Sequence, residues 1–187
     1  SWRLDFLGEP RLLLSKADLT LSADGGLELA APETAMDLAV FPPVSKELLE
    51  SKPRADGAFS TYTFTTPKAE IAIGGTPLPA RSWTVPVPKT LPDNVRELLV
   101  QVRYVGSTAE LLADKKLHTD HRHIGLPFEF GVRRFIDNGT KELTIVVHPY
   151  DKKVHGLPAE VAPQTPEEEK GLIRSATAVP EYVIRIR

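Results

Sequence analysis

The residues best suited to chemistry lie close together in one short segment. Positions 118–123 read HTDHRH and contain three histidines, an aspartate and an arginine. On a strand, His121 and His123 would share one face and could chelate a metal ion, with Asp120 or His118 nearby. A zinc site needs three or four convergent ligands held by an outer shell, and two close histidines on a turn are more often solvated. The segment leaves open a metal centre, the centre of a small enzyme, or a bend between strands.

Four carboxylates near this segment offer a second kind of chemistry. They are Glu110, Asp114, Asp120 and Glu129. Glycoside hydrolysis uses two carboxyl groups at a set separation, but acidic residues are also common on the solvent face of strands. No spacing here singles out a catalytic pair. Covalent catalysis has no candidate either, because the sequence lacks cysteine, a G-x-S-x-G elbow and an S-x-x-K motif.

Aromatic side chains offer a third function, a platform on which sugar rings could stack. The first candidates for carbohydrate contacts are Trp83, Tyr62 and Phe128. Aromatic residues on strands more often pack in the core, so core packing competes with ligand contact as the interpretation of each ring.

Composition excludes several classes of protein. The chain has 187 residues, of which 41% are hydrophobic and 26% charged, as in an ordinary globular protein. A formal charge of −2 provides no electrostatic attraction to nucleic acid or to an anionic membrane, so neither is expected as a partner. No apolar run approaches the ~20 residues of a membrane span. Because cysteine is absent, disulfides and cysteine-based zinc sites are excluded.

The pattern of apolar residues predicts many short strands. Seventeen prolines and twelve glycines leave little room for long helices. Residues 98–105 alternate, with Leu98, Val100 and Val102 on one face, and 59–64 and 142–148 alternate in the same way. Further candidate strands are 11–15, 17–23, 26–31, 35–41, 69–74, 82–87, 109–114, 127–133 and 181–187. This pattern favours an all-β fold, an antiparallel β-sandwich that is jelly-roll-like.

Turns and a short helix are predicted between these strands. Asp24-Gly25-Gly26, Asp56-Gly57, Gly74-Gly75 and Asn138-Gly139 have the residues that tight hairpins need. The one plausible helix is short, at 45–51, with Ser45 as a candidate N-cap. The segment 162–171 is predicted to be an exposed loop with one helical turn. We expect a single β-sandwich domain over 1–187, with a less regular N-terminal portion, about 1–57, packed on it.

One stretch resembles a known family. Residues 98–135, LLVQVRYVGSTAELLADKKLHTDHRHIGLPFEFGVRRF, are similar to the accessory jelly-roll domain of the β-galactosidases of glycoside hydrolase family 35, a sandwich of the galactose-binding-domain type. The matching positions are Tyr104, Gly106, Ala109, Leu117, Asp120, Gly125, Pro127, Gly131, Arg134 and Phe135. The chain departs from the family pattern at Ser107, at 121–124 and at Phe128, where the family carries an acidic residue, asparagines with aromatics, and a tryptophan.

The resemblance implies a structural role for the histidine-rich segment. In the family these positions form a tight bend, so Asp120 and Gly125 are predicted to be structural turn residues, acting through an Asx-type hydrogen bond and a positive φ. It also implies that the catalytic glutamates lie on a (β/α)₈ barrel of ~250 residues. This chain is too short for that barrel and lacks its helices, so we predict no catalytic residues in it.

The predicted function is therefore that of a non-catalytic accessory domain of a β-galactosidase-like glycoside hydrolase. Its partners would be the catalytic barrel of the same or another polypeptide and galactose-containing glycans, in the periplasm or outside the cell rather than in the cytoplasm. No cofactor is expected, and although jelly rolls can hold a structural calcium ion, no local motif marks one. Two alternatives remain open, namely a stand-alone cell-surface or assembly module and a metal-dependent enzyme using His118, Asp120, His121 and His123.

Overall fold

The chain divides into two compact units. The structure, a computed structural model, describes residues 1–22, 25–45, 47–48, 50–71, 80–153 and 156–186. The first unit comprises residues 1–69, 92–96 and 180–187, and the second comprises residues 70–91 and 97–179. The expectation of one domain with a less regular portion at about 1–57 stays a prediction. The described residues within 1–57 hold six strands.

Strands dominate both units. In chain order they are β1 (Trp2–Phe6), β2 (Glu9–Leu14), β3 (Asp18–Leu21), β4 (Leu27–Ala31), β5 (Ala35–Phe41), β6 (Arg54–Asp56), β7 (Phe59–Thr65), β8 (Ser82–Pro86), β9 (Val95–Val105), β10 (Thr108–Ala113), β11 (Lys116–Arg122), β12 (Phe128–Gly131), β13 (Glu142–Val147) and β14 (Leu172–Ile186). Two short helices, α1 (Arg133–Asp137) and α2 (Pro166–Glu169), complete the elements of the described residues. Neither is long enough to cross a membrane.

These strands form three sheets, and every strand pair with a described register is antiparallel. The first unit holds a sheet of order β1-β2-β5-β7-β6, and the second holds one of order β11-β10-β13-β8. The third sheet has the order β12-β9-β14-β4-β3. Its β3, β4 and the end of β14 belong to the first unit, whereas β12, most of β9 and the start of β14 belong to the second.

Alternation explains the core of the first unit. On β5, Met36, Leu38 and Val40 are buried, and on β7 so are Tyr62 and Phe64. The intervening residues face away from this core, because successive side chains of a strand point to opposite faces.

The second unit encloses one core between its two sheets. Strands β9, β12 and β14 contribute apolar side chains from one side, and β8, β10 and β13 contribute them from the other. Leu98 and Val100 on β9 and Leu143 and Ile145 on β13 are almost completely buried. Two sheets packed face to face on a shared apolar core make a β-sandwich. The predicted all-β, antiparallel sandwich-like fold is confirmed.

Several local predictions need correction. The helix predicted at 45–51, whose residues 46 and 49 lie outside the described ones, is not found, because Leu48 and Ser51 exchange backbone hydrogen bonds across a tight turn in which Glu50 has φ +64°. Asn138 and Gly139 follow the end of α1 rather than forming a hairpin tip. The helix α1 itself was not predicted.

Other predictions hold or fall outside the described residues. The hairpin between β6 and β7 turns at Gly57 and Ala58, one residue beyond the predicted Asp56-Gly57, because Asp56 pairs with Phe59. Helix α2 supplies the helical turn predicted within 162–171, with Thr165 as its N-cap. Of the strand predicted at 69–74, residues 69–71 are not in a strand and 72–74 lie outside the described residues. The predicted Gly74-Gly75 turn and Asp24 also lie outside them.

Removing the side chain of Ile145 should destabilise the second unit strongly. Ile145 is fully buried opposite Trp83, so we expect I145A to lower the free energy of unfolding by about 2–5 kcal/mol. Thr144, its neighbour on the solvent face, is the matched control, and T144A should cost less than about 1 kcal/mol. Urea unfolding followed by tryptophan fluorescence measures both. Equal losses for the two variants would contradict the assignment of faces on β13.

Candidate functional site

The histidine-rich segment is mostly a strand, β11, and the bend follows it at 123–127. Asp114 and Lys115, with φ of +47° and +68°, make the two-residue turn between β10 and β11. The resemblance predicts that Asp120 begins the bend. In the structure Asp120 instead lies inside β11, opposite Glu110. The strand runs on through Asp120 because the pairing with β10 continues to Arg122.

Tyr104, on β9, organises the end of this strand. Its hydroxyl group donates to the carbonyl oxygen of His121 at 2.8 Å and lies 2.9 Å from Nδ1 of the same residue. It is also hydrogen-bonded to the backbone of Ala109, the residue that pairs with His121 across β10 and β11. Burial raises the pKa of the Tyr104 hydroxyl well above its usual range, so this group stays protonated and able to donate.

The rings of His121 and His123 are packed on aromatic side chains. The ring of His121 stacks on Phe128 with centroids 5.2 Å apart, and the ring of His123 lies 4.9 Å from that of Tyr104. Only 5% of His123 is exposed, and its Nε2 is 3.2 Å from the carbonyl oxygen of Val161. Its Nδ1 atom is buried without a hydrogen-bond partner. This leaves His123 suited to the neutral form, in which Nε2 carries the hydrogen.

Both imidazoles resist protonation. Burial lowers the pKa of His121, the charge of a protonated His123 would lower it further, and Asp120 opposes the shift. Burial also lowers the pKa of His123; the Val161 carbonyl opposes this, and the charge of Arg174 adds to it. At neutral pH the pair is therefore uncharged and serves packing and hydrogen bonding.

The bend itself depends on a glycine and on a neighbouring segment. Gly125 has φ +89°, and a Cβ atom on it would lie 2.7 Å from Cγ1 of Val161. Val161 sits in a turn in which its N–H group and that of Ala162 donate to the carbonyl oxygen of Pro158. The missing side chain at Gly125 thus lets this turn approach the bend closely.

The predicted carbohydrate contacts are all buried. Trp83 on β8 and Phe128 on β12 belong to the core of the second unit and are 8% and 4% exposed. Tyr62 belongs to the first unit and is fully buried. The structure brings Trp83 and Phe128 into one core but does not place Tyr62 with them, and none of the three rings presents a face to solvent. This placement favours the core-packing interpretation of each ring.

The candidate metal ligands point to different neighbours. His118 packs edge-on against Phe135, with centroids 4.8 Å apart, whereas His121 and His123 contact Tyr104. Across the part of the chain that the structure describes, no three or more histidine and carboxylate side chains come close enough to hold a metal ion. The geometry therefore gives the metal-dependent enzyme no support.

The candidate carboxylates likewise have different neighbours and different structural roles. Oδ1 of Asp114 accepts from the backbone N–H groups of Lys141 and Glu142 at 3.0 and 3.1 Å. Glu129 accepts from Gln101, its partner across β9 and β12. Glu110 and Asp120 are opposite each other on the solvent face of the sheet, and Oε1 of Glu110 is 3.1 Å from Nε2 of His148.

Large exposed apolar side chains flank this segment in the sequence. Leu117, Ile124 and Leu126 are 63%, 60% and 61% exposed. The sequence analysis assigns them no function: Leu117 is only a position that matches the family, and Ile124 and Leu126 lie in or directly after the predicted bend. The sequence did contain one signal for them: they lie in a polar segment in which apolar residues do not alternate with polar ones. Exposed apolar side chains that lie together mark contact surfaces, and Ile124 and Leu126 lie in the same bend.

The first unit contains a cleft of about 960 Å³. Leu14, Ala39 and Thr61 line it together with charged residues of both signs, including Lys16 and Arg54. Oγ1 of Thr61 is buried without a hydrogen-bond partner. None of the described residues that line the cleft is aromatic, so stacking of a sugar ring has no platform there.

Comparisons of the chain with models of known protein families, with curated proteins and with solved structures found no match.

Substitution of Gly125 should test how tightly the bend is held. We expect G125A to destabilise the protein by at least about 2 kcal/mol, because it adds backbone strain and a clash with Val161. Gly139 is the matched control, since it also has a positive φ but nothing within 4 Å, and G139A should cost about 1 kcal/mol. Urea unfolding of G125A, G139A and G125A/V161A measures the difference. If V161A did not reduce the cost of G125A, the contact would not be its source.

Stability should fall as the pH is lowered through the histidine range. The unfolded chain has histidine pKa values near 6.5, and the folded pKa values of His121 and His123 lie lower. Below about pH 6.5 the unfolded state therefore binds more protons, and the free energy of unfolding decreases by up to about 1.4 kcal/mol per pH unit for each histidine. Urea unfolding between about pH 7.5 and pH 5 measures this slope. The variant H121Q/H123Q should flatten it, and an unchanged slope would contradict the assignment.

Proposed function

We propose that this chain is a non-catalytic module that supports the catalytic barrel of a glycoside hydrolase similar to β-galactosidase. The observation that carries the proposal is the exposure of Leu117, Ile124 and Leu126 within residues 98–135, the stretch that resembles the accessory domain. A supporting domain needs an apolar surface that the barrel covers, and covering apolar side chains that are more than half exposed is favourable because it removes them from water.

The polar groups of the same segment support a non-catalytic role. Tyr104, His121 and His123 are engaged with one another and with the backbone of Val161. Asp114 holds two backbone N–H groups. A general acid or base must reach substrate with a free proton-transfer atom, and these side chains are committed to the fold.

Support for a barrel is favoured over sugar binding within this proposal. Trp83, Phe128 and Tyr62 could contact a sugar ring only if the core opened, since each is at most 8% exposed. Core opening of that kind would cost several kcal/mol, more than a stacked ring returns. Galactose-containing glycans would therefore be recognised elsewhere on the chain, or by the barrel.

The proposal predicts that the protein alone hydrolyses no 4-nitrophenyl β-galactoside and that it raises the melting temperature of a family-35 barrel prepared without its accessory domains. The stabilisation follows because a partner that binds only the folded barrel shifts its unfolding equilibrium. Differential scanning calorimetry with and without the protein measures the shift. The variants L117D, I124D and L126D should each reduce it by placing a charge in the contact.

The matched control is R122D, which adds an aspartate to a neighbouring exposed position without removing an apolar side chain. It should stabilise the barrel as well as the unchanged protein does. Hydrolysis by the protein alone would contradict the proposal. An unchanged melting temperature would favour the alternative, a stand-alone cell-surface or assembly module that uses the same apolar side chains.

A further inference from the structure

Strand β1 is the outermost strand of the first unit's five-stranded sheet and pairs, among the described strands, with β2 alone. A two-residue turn at Leu7 and Gly8 joins the two strands, so the closing pair, Phe6 and Glu9, exchanges hydrogen bonds. From that pair outward the pattern alternates. The backbone groups of Trp2, Leu4 and Phe6 face β2, whereas the N–H and C=O groups of Arg3 and Asp5 face away from the sheet.

The side chains of β1 separate into two faces. Trp2, Leu4 and Phe6 lie on the face that carries the core, in register with residues such as the fully buried Leu13. Phe6 is buried, but Leu4 is only partly buried and Trp2 is 44% exposed. Arg3 and Asp5 lie exposed on the opposite face. The strand thus has an apolar face that continues the core and is left partly open at the edge of the sheet.

The strand is complementary to itself in the antiparallel orientation. If two copies of WRLDF are paired about Leu4, Arg3 of each copy lies opposite Asp5 of the other, and Trp2 lies opposite Phe6. The outward-facing backbone groups of Arg3 and Asp5 then meet as hydrogen-bonded pairs. The charges pair on the solvent face, while two tryptophans, two leucines and two phenylalanines line the apolar face.

Other registers are opposed by charge or by side-chain orientation. Moving one copy by two residues places Arg3 opposite Arg3 or Asp5 opposite Asp5, and like charges directly opposite each other are destabilising. Moving it by one residue turns the apolar side chains to the charged face. The charge nearest the apolar face, Arg11 opposite Leu4, is already paired with Glu9 at 2.9 Å. One register is therefore selected.

We propose that the protein forms a dimer in which the β1 strands of two copies pair antiparallel about Leu4. The occupant of this edge is a second copy, because the alternation of Trp, Arg, Leu, Asp and Phe complements its own reverse. Such a contact is isologous and closes as a pair, with no further edge exposed at β1. It goes beyond the proposed function and does not involve Leu117, Ile124 or Leu126.

Charge reversal tests the register directly. Sedimentation equilibrium from about 10 µM to about 1 mM should show a monomer–dimer equilibrium for the unchanged protein. R3D places like charges opposite each other in both symmetric pairs and should weaken dimerisation at least about tenfold, as should D5R. The double variant R3D/D5R again has opposite charges in each pair and should return the dissociation constant to within about threefold of the original. On β2, Arg3 lies opposite Leu12 and Asp5 lies opposite Pro10, which are uncharged, so these substitutions preserve the hairpin.

A cysteine at the symmetry axis gives a second, independent readout. Leu4 of the two copies would form a non-hydrogen-bonded pair, with Cβ atoms about 4.5–5.5 Å apart, from which small backbone adjustments allow a disulfide. The chain has no cysteine of its own, so L4C should form a covalent dimer on mild oxidation. The control is L21C at Leu21, an even more exposed apolar position on β3, another outer strand, which should stay monomeric under the same conditions.

Recovery of the dimer in R3D/D5R together with selective crosslinking of L4C would establish the contact. A monomer throughout the concentration range would overturn the proposal. So would a dimer that is indifferent to R3D and D5R, because it would then use another surface.

Discussion

The hydroxyl group of Tyr104 contacts both β10 and β11 at the end of their pairing, and the geometry of the histidine-rich segment depends on it. It links Ala109 on one strand with the backbone and ring of His121 on the other. Because burial keeps the hydroxyl protonated, it can donate and accept at once. The orientation of His121, its stacking on Phe128 and the position of His123 beside the same tyrosine ring all follow from this single polar group in an apolar core.

A segment rich in ionisable side chains can thus be structural throughout. Neutral imidazole combines a flat ring, which packs on Phe128 or Tyr104, with nitrogen atoms that satisfy a hydroxyl or a carbonyl group. The cost is the unpartnered Nδ1 of His123, a buried acceptor whose desolvation is not recovered. The apolar side chains in and beside the segment, Leu117, Ile124 and Leu126, are instead exposed, and they are the ones that a chemical interpretation of the sequence passes over.

Sequence patterns predicted the strands that are buried on one face. Strands β9 and β13 alternate between core and solvent, and the alternation is visible in the residues themselves. Strand β11 escaped prediction because, as the outer strand of its sheet, it carries polar residues on both faces and is defined only by its pairing with β10. The helix expected at 45–51 failed because a local turn at Leu48 and Ser51 outweighed weak helical propensity. Burial of Trp83 and Phe128 likewise depends on long-range packing between sheets, which no local pattern contains.

The close approach of Val161 to Gly125 links two distant parts of the sequence. At most surface bends a glycine is required only because of its own backbone angle, and the residues around it are free to vary. Here a second constraint acts, since the space left by the absent side chain is filled by a particular branched residue from another loop. Among related proteins the two positions should therefore change in concert, so that a bulkier bend is matched by a smaller residue in the facing loop. Such paired substitutions would leave a record of this contact in evolution that the bend alone could not produce.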